Sequence, residues 1–171
     1  MEKQTNIDLP QVNLRTCLKD GKVLFASCLG VGFAKKAPGT FGSIFALPFL
    51  YVFDMLAAPK FMLWPFLIML TVISSYICQA IMNHYDLDDP GWVVIDEFLG
   101  MLLGYLLFPS RSVLALIIFF GLFRLFDILK PYPISLADKI KSGFGIILDD
   151  LIAGLFAGLI LLGLNHFQLL I

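Results

Sequence analysis

Charge is what this sequence has least of. Only 15% of its 171 residues are Asp, Glu, Lys or Arg, and 12 basic against 13 acidic side chains leave a formal net charge of −1. A soluble domain carries about 25% charged residues. A nucleic-acid binder needs a cationic surplus to attract phosphodiesters, so no nucleic-acid partner is expected. Cysteine is also scarce. Cys17, Cys28 and Cys78 form neither a metal-binding spacing nor an even disulfide set, and they read as buried thiols. No arginine follows any of them at the Cys-x5-Arg spacing of a thiol phosphatase, and the lone pair His84 and His166 gives no histidine nucleophile a partner. What fills the chain instead is apolar. The hydrophobic share is 59%, with 17 Phe, and the mean hydropathy is +0.89. A single core in a chain of this size could not hide so much apolar surface, so the sequence describes an integral membrane protein.

Five apolar runs carry that reading: Phe41–Ala58, Phe61–Met82, Trp92–Phe108, Val113–Phe126 and Ile146–Leu164. A helix needs about 20 apolar residues to cross a bilayer core, and Phe61–Met82 meets this with no charge at all. A shorter run, Val23–Ala34, is expected to lie at the interface or re-enter. The expected fold is all-α, a bundle of about five transmembrane helices. Residues 1–22 are expected to form a cytoplasmic extension without a secretory signal, and 23–171 one membrane-embedded domain. The Ala57-Ala58-Pro59-Lys60 and Pro109-Ser110-Arg111-Ser112 links suit tight turns. If the five runs cross in order, ten of the twelve basic residues fall on one side, with Lys60 and Arg111 opposite. The positive-inside bias makes that side cytoplasmic. A homo-oligomer is compatible with the sequence but not indicated by it.

The few charges inside or beside the runs are the informative ones. Asp96, Glu97, Asp127, Asp149 and Asp150 lie at the cytoplasmic ends of three helices, with Arg124, Lys130 and Asp89 nearby. Any one of them could snorkel to water, but carboxylates are too short to do so well. As a set they describe a hard-cation site, because Mg²⁺ takes oxygen ligands from carboxylates and phosphate. Neighbouring residues on a helix point about 100° apart, so in each acidic pair one member is expected to bind metal and the other to orient a ligand or handle a proton. Arg124 and Asp127 share a helix face, either as a salt bridge or with Arg124 on a phosphate and Asp127 on the metal. A transporter or ion-conducting protein using the carboxylates as a cation path is the competing class. It would place charges near the midplane and often shows repeated halves.

A second feature is the glycine-rich stretch from Gly30 to Ser43. Thr40 ahead of an apolar run reads as a helix N-cap, and a helix N-terminus beside Lys35 and Lys36 suits a phosphate. It is not a Walker loop, since no Gly-Lys-Ser/Thr triplet has the required spacing. Gly143 and Gly145 precede Asp149 in a similar way.

Four segments together resemble a known family. They are Ala37-Pro38-Gly39-Thr40-Phe41-Gly42-Ser43, Val94-Ile95-Asp96-Glu97-Phe98-Leu99-Gly100-Met101, Phe123-Arg124 through Asp127 to Lys130-Pro131-Tyr132-Pro133, and Gly145 through Asp149-Asp150 to Ala153-Gly154. Their order and approximate spacing are similar to those of bacterial phosphatidylglycerophosphatase A. The resemblance implies an all-helical enzyme of the bacterial inner membrane. It would remove the terminal phosphate of phosphatidylglycerophosphate with Mg²⁺, at the cytoplasmic face. On these positions it implies a metal and acid–base centre of Asp96, Glu97, Asp127, Asp149 and Asp150. Phosphate oxygens would be held by Arg124 and Lys130, with Lys36 and the Gly39-Thr40 turn, and Asp89 is a further candidate. Ser142-Gly143 stands where the family often has two glycines, which weakens Gly143 as a phosphate contact. Attack by a metal-activated water and an aspartyl-phosphate route through Asp127 or Asp149 both remain open, as does transfer to an acceptor other than water.

Overall fold

The computed structural model describes residues 12–56, 59–108 and 112–167, and every regular element among them is helical. Two short helices come first, α1 (Leu14–Cys17) and α2 (Gly21–Ala26). Asn13 caps α1, and Asp20 caps α2 by accepting from the Lys22 amide at 2.9 Å. Five longer helices follow: α3 (Pro38–Met55), α4 (Leu63–Tyr85), α5 (Ile95–Leu107), α6 (Val113–Leu129) and α8 (Gly145–His166), with a single turn, α7 (Ile134–Ala137), before the last. Each apolar run thus becomes a helix whose ends move by up to three residues.

Local chemistry explains the shifted ends. The α3 helix starts at Pro38, whose fixed φ suits the first helical position, behind Ala37 in the left-handed region at φ 48°. Thr40 is therefore inside the first turn and is not the N-cap that its hydroxyl and the apolar run after it predict. The α5 helix starts only at Ile95, because Val94 donates its N–H to the Ala26 carbonyl at 2.9 Å and ties this entry to α2. The α6 helix stops at Lys130, left-handed at φ 42°, where Pro131 cannot continue it. The run Val23–Ala34 forms no long helix. It folds into α2 and a tight turn at Val31–Phe33, with Val23, Ala26 and Gly32 buried.

Among the described residues, two helices are long and apolar enough to cross a membrane, Lys60–Tyr85 (α4 with its leading turn) and Gly145–His166. The α5 helix, with 13 residues, rises only about 20 Å, short of a hydrocarbon core of about 30 Å. It compensates by being the most enclosed, with ten of its residues buried, Ile95 and Glu97 through Leu106 except Leu103 among them. Large apolar side chains are instead exposed on the outer faces of the other long helices, such as Ile68, Val72 and Tyr76 on α4 and Ile117 on α6. The links predicted as tight turns fall mostly outside the described residues.

The largest interface joins α5 to α8, and glycine makes it. A Cβ on Gly154 would lie 2.0 Å from the Gly100 carbonyl oxygen, and one on Gly104 would lie 2.5 Å from the Gly154 oxygen. On Gly100 it would lie 2.5 Å from the Asp150 oxygen, and on Gly158 it would lie 2.6 Å from the Gly104 oxygen. The two helices therefore touch backbone to backbone. Gly100-x3-Gly104 and Gly154-x3-Gly158 are small-xxx-small patterns of the kind that pack membrane helices. That contact sets Asp149 and Asp150 one turn from Asp96 and Glu97.

At the opposite end of α5, Lys60 donates to the Tyr105 carbonyl at 3.0 Å and to the Phe108 carbonyl, and lies 4.4 Å from the centre of the Tyr105 ring. A cation there satisfies terminal carbonyls and opposes the helix dipole. Tyr105 in turn donates to Asp54 Oδ1 at 2.5 Å. Lys60→Met is expected to lower stability in detergent by about 2 kcal/mol, the scale of a charged hydrogen bond. A thermal melt checks this.

Candidate active site

One cavity of about 480 Å³ opens where α3, α5, α6 and α8 meet. Asp96 and Glu97 reach it from the first turn of α5, where the positive end of the helix dipole favours carboxylates. Arg124 and Asp127 come from the last turns of α6, and Lys130 from its left-handed cap. Asp149 and Asp150 come from the second turn of α8, and Pro38 and Gly39 from the start of α3. The loops add Asp88, Asp89, Asp138 and Lys141. Eight carboxylates and three cations line the wall, so by formal charge the cavity repels a phosphate unless cations enter with it.

The cations are placed by carboxylates. Arg124 Nη1 donates to Asp127, approaches Glu97 Oε1 at 3.8 Å and reaches Ser43 Oγ at 3.5 Å. The Ser43 hydroxyl donates to the Gly39 carbonyl at 2.9 Å, which fixes the α3 turn against the arginine. Lys130 Nζ donates to Asp149 Oδ2 at 2.7 Å and to Asp138 Oδ1. Burial acts to lower the Lys130 pKa, but the bonds to Asp138 and Asp149 outweigh it and hold the ammonium above the ordinary lysine range. Lys141 pairs with Asp88 across the exposed mouth.

Asp96, Glu97 and Asp150 behave differently. One oxygen from each lies within 4.8 Å of the others. Glu97 Oε2 and Asp150 Oδ1 are buried with no hydrogen-bond partner among the described residues, as are Asp149 Oδ1 and Arg124 Nε. Buried polar atoms are nearly always paired, so this group of orphaned atoms around one cavity is the site's most unusual property. The acidic pair on α8 diverges as helix geometry requires, with Asp149 on Lys130 and Asp150 in the trio. The pair on α5 does not diverge. The extra methylene of Glu97 lets its carboxylate swing back to the point that Asp96 reaches.

Of the residues singled out in the sequence, Asp89, Asp96, Glu97, Arg124, Asp127, Lys130, Asp149, Asp150 and Gly39 line this cavity. Lys36 and Thr40 do not. The left-handed turn at Ala37 reverses the chain between Lys36 and Gly39, leaving the lysine exposed. Gly143 is not available to a ligand either. Its N–H donates to Gln79 Oε1 at 2.8 Å, and a Cβ there would lie 2.3 Å from the α4 backbone. His84 closes α4 as an exposed residue and takes no part in the cavity wall. The three cysteines are free and buried, as expected.

Gly39 is required by space. A Cβ there would lie 2.1 Å from Glu97 Oε1 and 3.1 Å from Arg124 Nη1. Gly39→Ala is expected to displace both groups and cut turnover about a hundred-fold, the scale of a 1 Å misplacement. Steady-state phosphate release beside an unchanged melting curve checks it.

The same residues anchor the comparison with known proteins. A family model described as Phosphatidylglycerophosphatase A matches residues 24–165, which takes in all nine cavity residues named above. The chain belongs to the phosphatidylglycerophosphatase A family. A phosphatidylglycerophosphatase A of Haemophilus influenzae is 34% identical, over 85% of this chain and 90% of the relative. Another, from Escherichia coli strain K12, is 33% identical over 84% and 83% respectively. A Bacteroides thetaiotaomicron protein named "Putative phosphatidylinositol-3-phosphatase" is 30% identical over 79% of this chain and 87% of its own length. No solved structure matches. The sequence assigns no role to Asp88, Asp138 and Lys141 on the cavity wall, or to Ser43, which lies outside the wall against Arg124. Ser43 had a signal, one turn after Gly39 inside a family segment. Asp138 stands in a loop with no pattern around it.

Proposed function

We propose that the chain hydrolyses the terminal phosphomonoester of phosphatidylglycerophosphate, giving phosphatidylglycerol and inorganic phosphate in phospholipid biosynthesis. The observation that carries this reading is the convergence of Asp96, Glu97 and Asp150 beside Arg124 and Lys130 in a member of this family. The donor set is all oxygen and includes buried unpartnered atoms, which fits a hard divalent cation such as Mg²⁺. Asp96, Glu97 and Asp150 would hold it, and when bound it would screen phosphoryl charge and lower the pKa of water.

The remaining work belongs to the chain. Arg124 and Lys130 bind the phosphoryl oxygens, exchanging part of their carboxylate bonds for phosphate. Asp149, held through Oδ2 by Lys130, has Oδ1 free of protein partners and takes the proton of the attacking water. As the water oxygen bonds to phosphorus, the bond to the glycerol oxygen breaks. The proton on Asp149 then passes to that leaving oxygen, restoring the carboxylate.

The apolar outer faces and the two long apolar helices support a membrane location, and on this reading residues 23–171 form a multi-pass domain of a bacterial inner membrane. The positive-inside bias supports a cytoplasmic side for the cavity. A cation path is less well supported, because α5 carries no charged residue after Glu97 and its glycines bring its backbone directly against α8. The test is purified protein with phosphatidylglycerophosphate and added Mg²⁺, with phosphatidylinositol 3-phosphate in parallel. Phosphate and phosphatidylglycerol are expected in equal amounts. No release from the first substrate would defeat the reading, and preference for the second would reassign the headgroup.

A further inference from the structure

A second cavity, also about 480 Å³, lies in the apolar region between α3 and α6. Its walls include Ile44, Leu47, Pro48 and Tyr51 from α3, and Val113 and Ile117 from α6. The same two helices supply Gly39, Arg124 and Ile128 to the polar cavity. The connection can be read from helix geometry. At 100° per residue, Val113, Ile117, Gly121, Arg124 and Ile128 keep to one stripe of α6. On α3, Thr40, Ile44, Leu47 and Tyr51 keep to another. Both stripes therefore run from the phosphate end into the apolar groove.

Three further features make this stripe a channel for a chain. Gly121 stands midway on α6, and a Cβ there would meet nothing within 4 Å, so the stripe is open between its two ends. The groove offers almost no polar surface. Along the helix axes, its near end lies about 7 Å from Gly39 on α3 and about 10 Å from Arg124 on α6. That interval suits the phosphorylated glycerol and the phosphodiester that separate the terminal phosphate of a phospholipid from its acyl esters.

We propose that the α3–α6 groove holds an acyl chain of the lipid whose phosphomonoester enters the carboxylate cavity. This rests on the function proposed above and names where the enzyme grips the diacyl part. Thr40, which does not line the polar cavity, lies at the junction of the two regions. The groove explains how an enzyme with a polar, highly charged cavity would select a lipid over a soluble phosphate ester.

Two measurements test the assignment. Phosphatidylglycerophosphate carrying a diazirine on one acyl chain is photolysed with the wild-type protein in vesicles, and the labelled residues are mapped. Label is expected on Ile44, Leu47 and Ile117, well above exposed α4 residues such as Ile68 and Val72, and an excess of unlabelled substrate is expected to remove it. Equal labelling of α3, α4 and α6, or label that substrate does not displace, would overturn the groove. Cross-linking between copies through α3 and α6 would assign it to a second protomer and overturn it as well.

The second measurement uses Gly121→Phe and Ile117→Trp, neither of which touches the polar cavity. Each is expected to reduce kcat/KM for a dioleoyl substrate at least about tenfold, the loss of a few buried methylenes, while leaving a dibutyryl substrate within about twofold. Equal effects on both substrates would overturn the proposal. Failure of the wild type to hydrolyse either substrate would instead defeat the functional reading, and the photolabelling pattern would still report on the groove.

Discussion

Asp150→Asn is expected to reduce phosphate release about a thousand-fold, the upper range for one electrostatic group in an active site, without lowering the melting temperature. The side chain is only 3% exposed, and the amide is nearly the same size, so packing is kept. Its charge, however, is one of three that meet within 4.8 Å. Replacing it removes an anionic ligand and places an N–H₂ donor where a cation would sit. The stability outcome separates this account from a structural one. In a cavity with eight carboxylates and three cations, losing a negative charge relieves repulsion, and the midpoint is expected to hold or rise. A fall in midpoint together with preserved activity would show that Asp150 serves the fold and not the reaction. Arg124→Ala is expected to be inactive too, but for a different reason. It leaves Asp127 and Glu97 without their cation, so it should cost stability as well as turnover.

Gly154→Leu is expected to destabilise the protein by about 4 kcal/mol or more, a scale reached only by severe core defects. The clash is with main chain, since a Cβ would fall 2.0 Å from the Gly100 oxygen and no rotamer can relieve it. The α5 and α8 helices would have to separate, and with them the two acidic pairs. Loss of folded protein on size exclusion, with no phosphate release, is the expected result. Gly163→Leu, on the same helix, meets nothing within 4 Å and is the control, with a melting temperature and activity close to wild type. Similar behaviour of the two variants would show that the α5–α8 contact is not what assembles the cavity.

Much of this architecture is legible in the sequence because composition and periodicity are local. Five apolar runs become five helices, and carboxylates at their ends on one side meet in one cavity. What the sequence did not disclose was set by contacts between distant segments. Val94 begins α5 late because it bonds to Ala26, and Gly143 is consumed by Gln79, 64 residues earlier. Thr40 and Lys36 were misplaced by a left-handed Ala37, a conformation that alanine seldom signals. Asp138 had no pattern at all, yet it shares Lys130 with Asp149. The two small-xxx-small stretches on α5 and α8 were visible throughout. Their use required knowing that the helices pair.

The central claim is that Asp96, Glu97 and Asp150 form a divalent-cation phosphatase centre. The most direct measurement is phosphate release from phosphatidylglycerophosphate by protein stripped with EDTA, followed through a Mg²⁺ titration and compared with Asp150→Asn. The account predicts no release in EDTA, saturable recovery with Mg²⁺, and no recovery in the variant at the same concentrations. Full release in EDTA, or equal recovery in the variant, would contradict it.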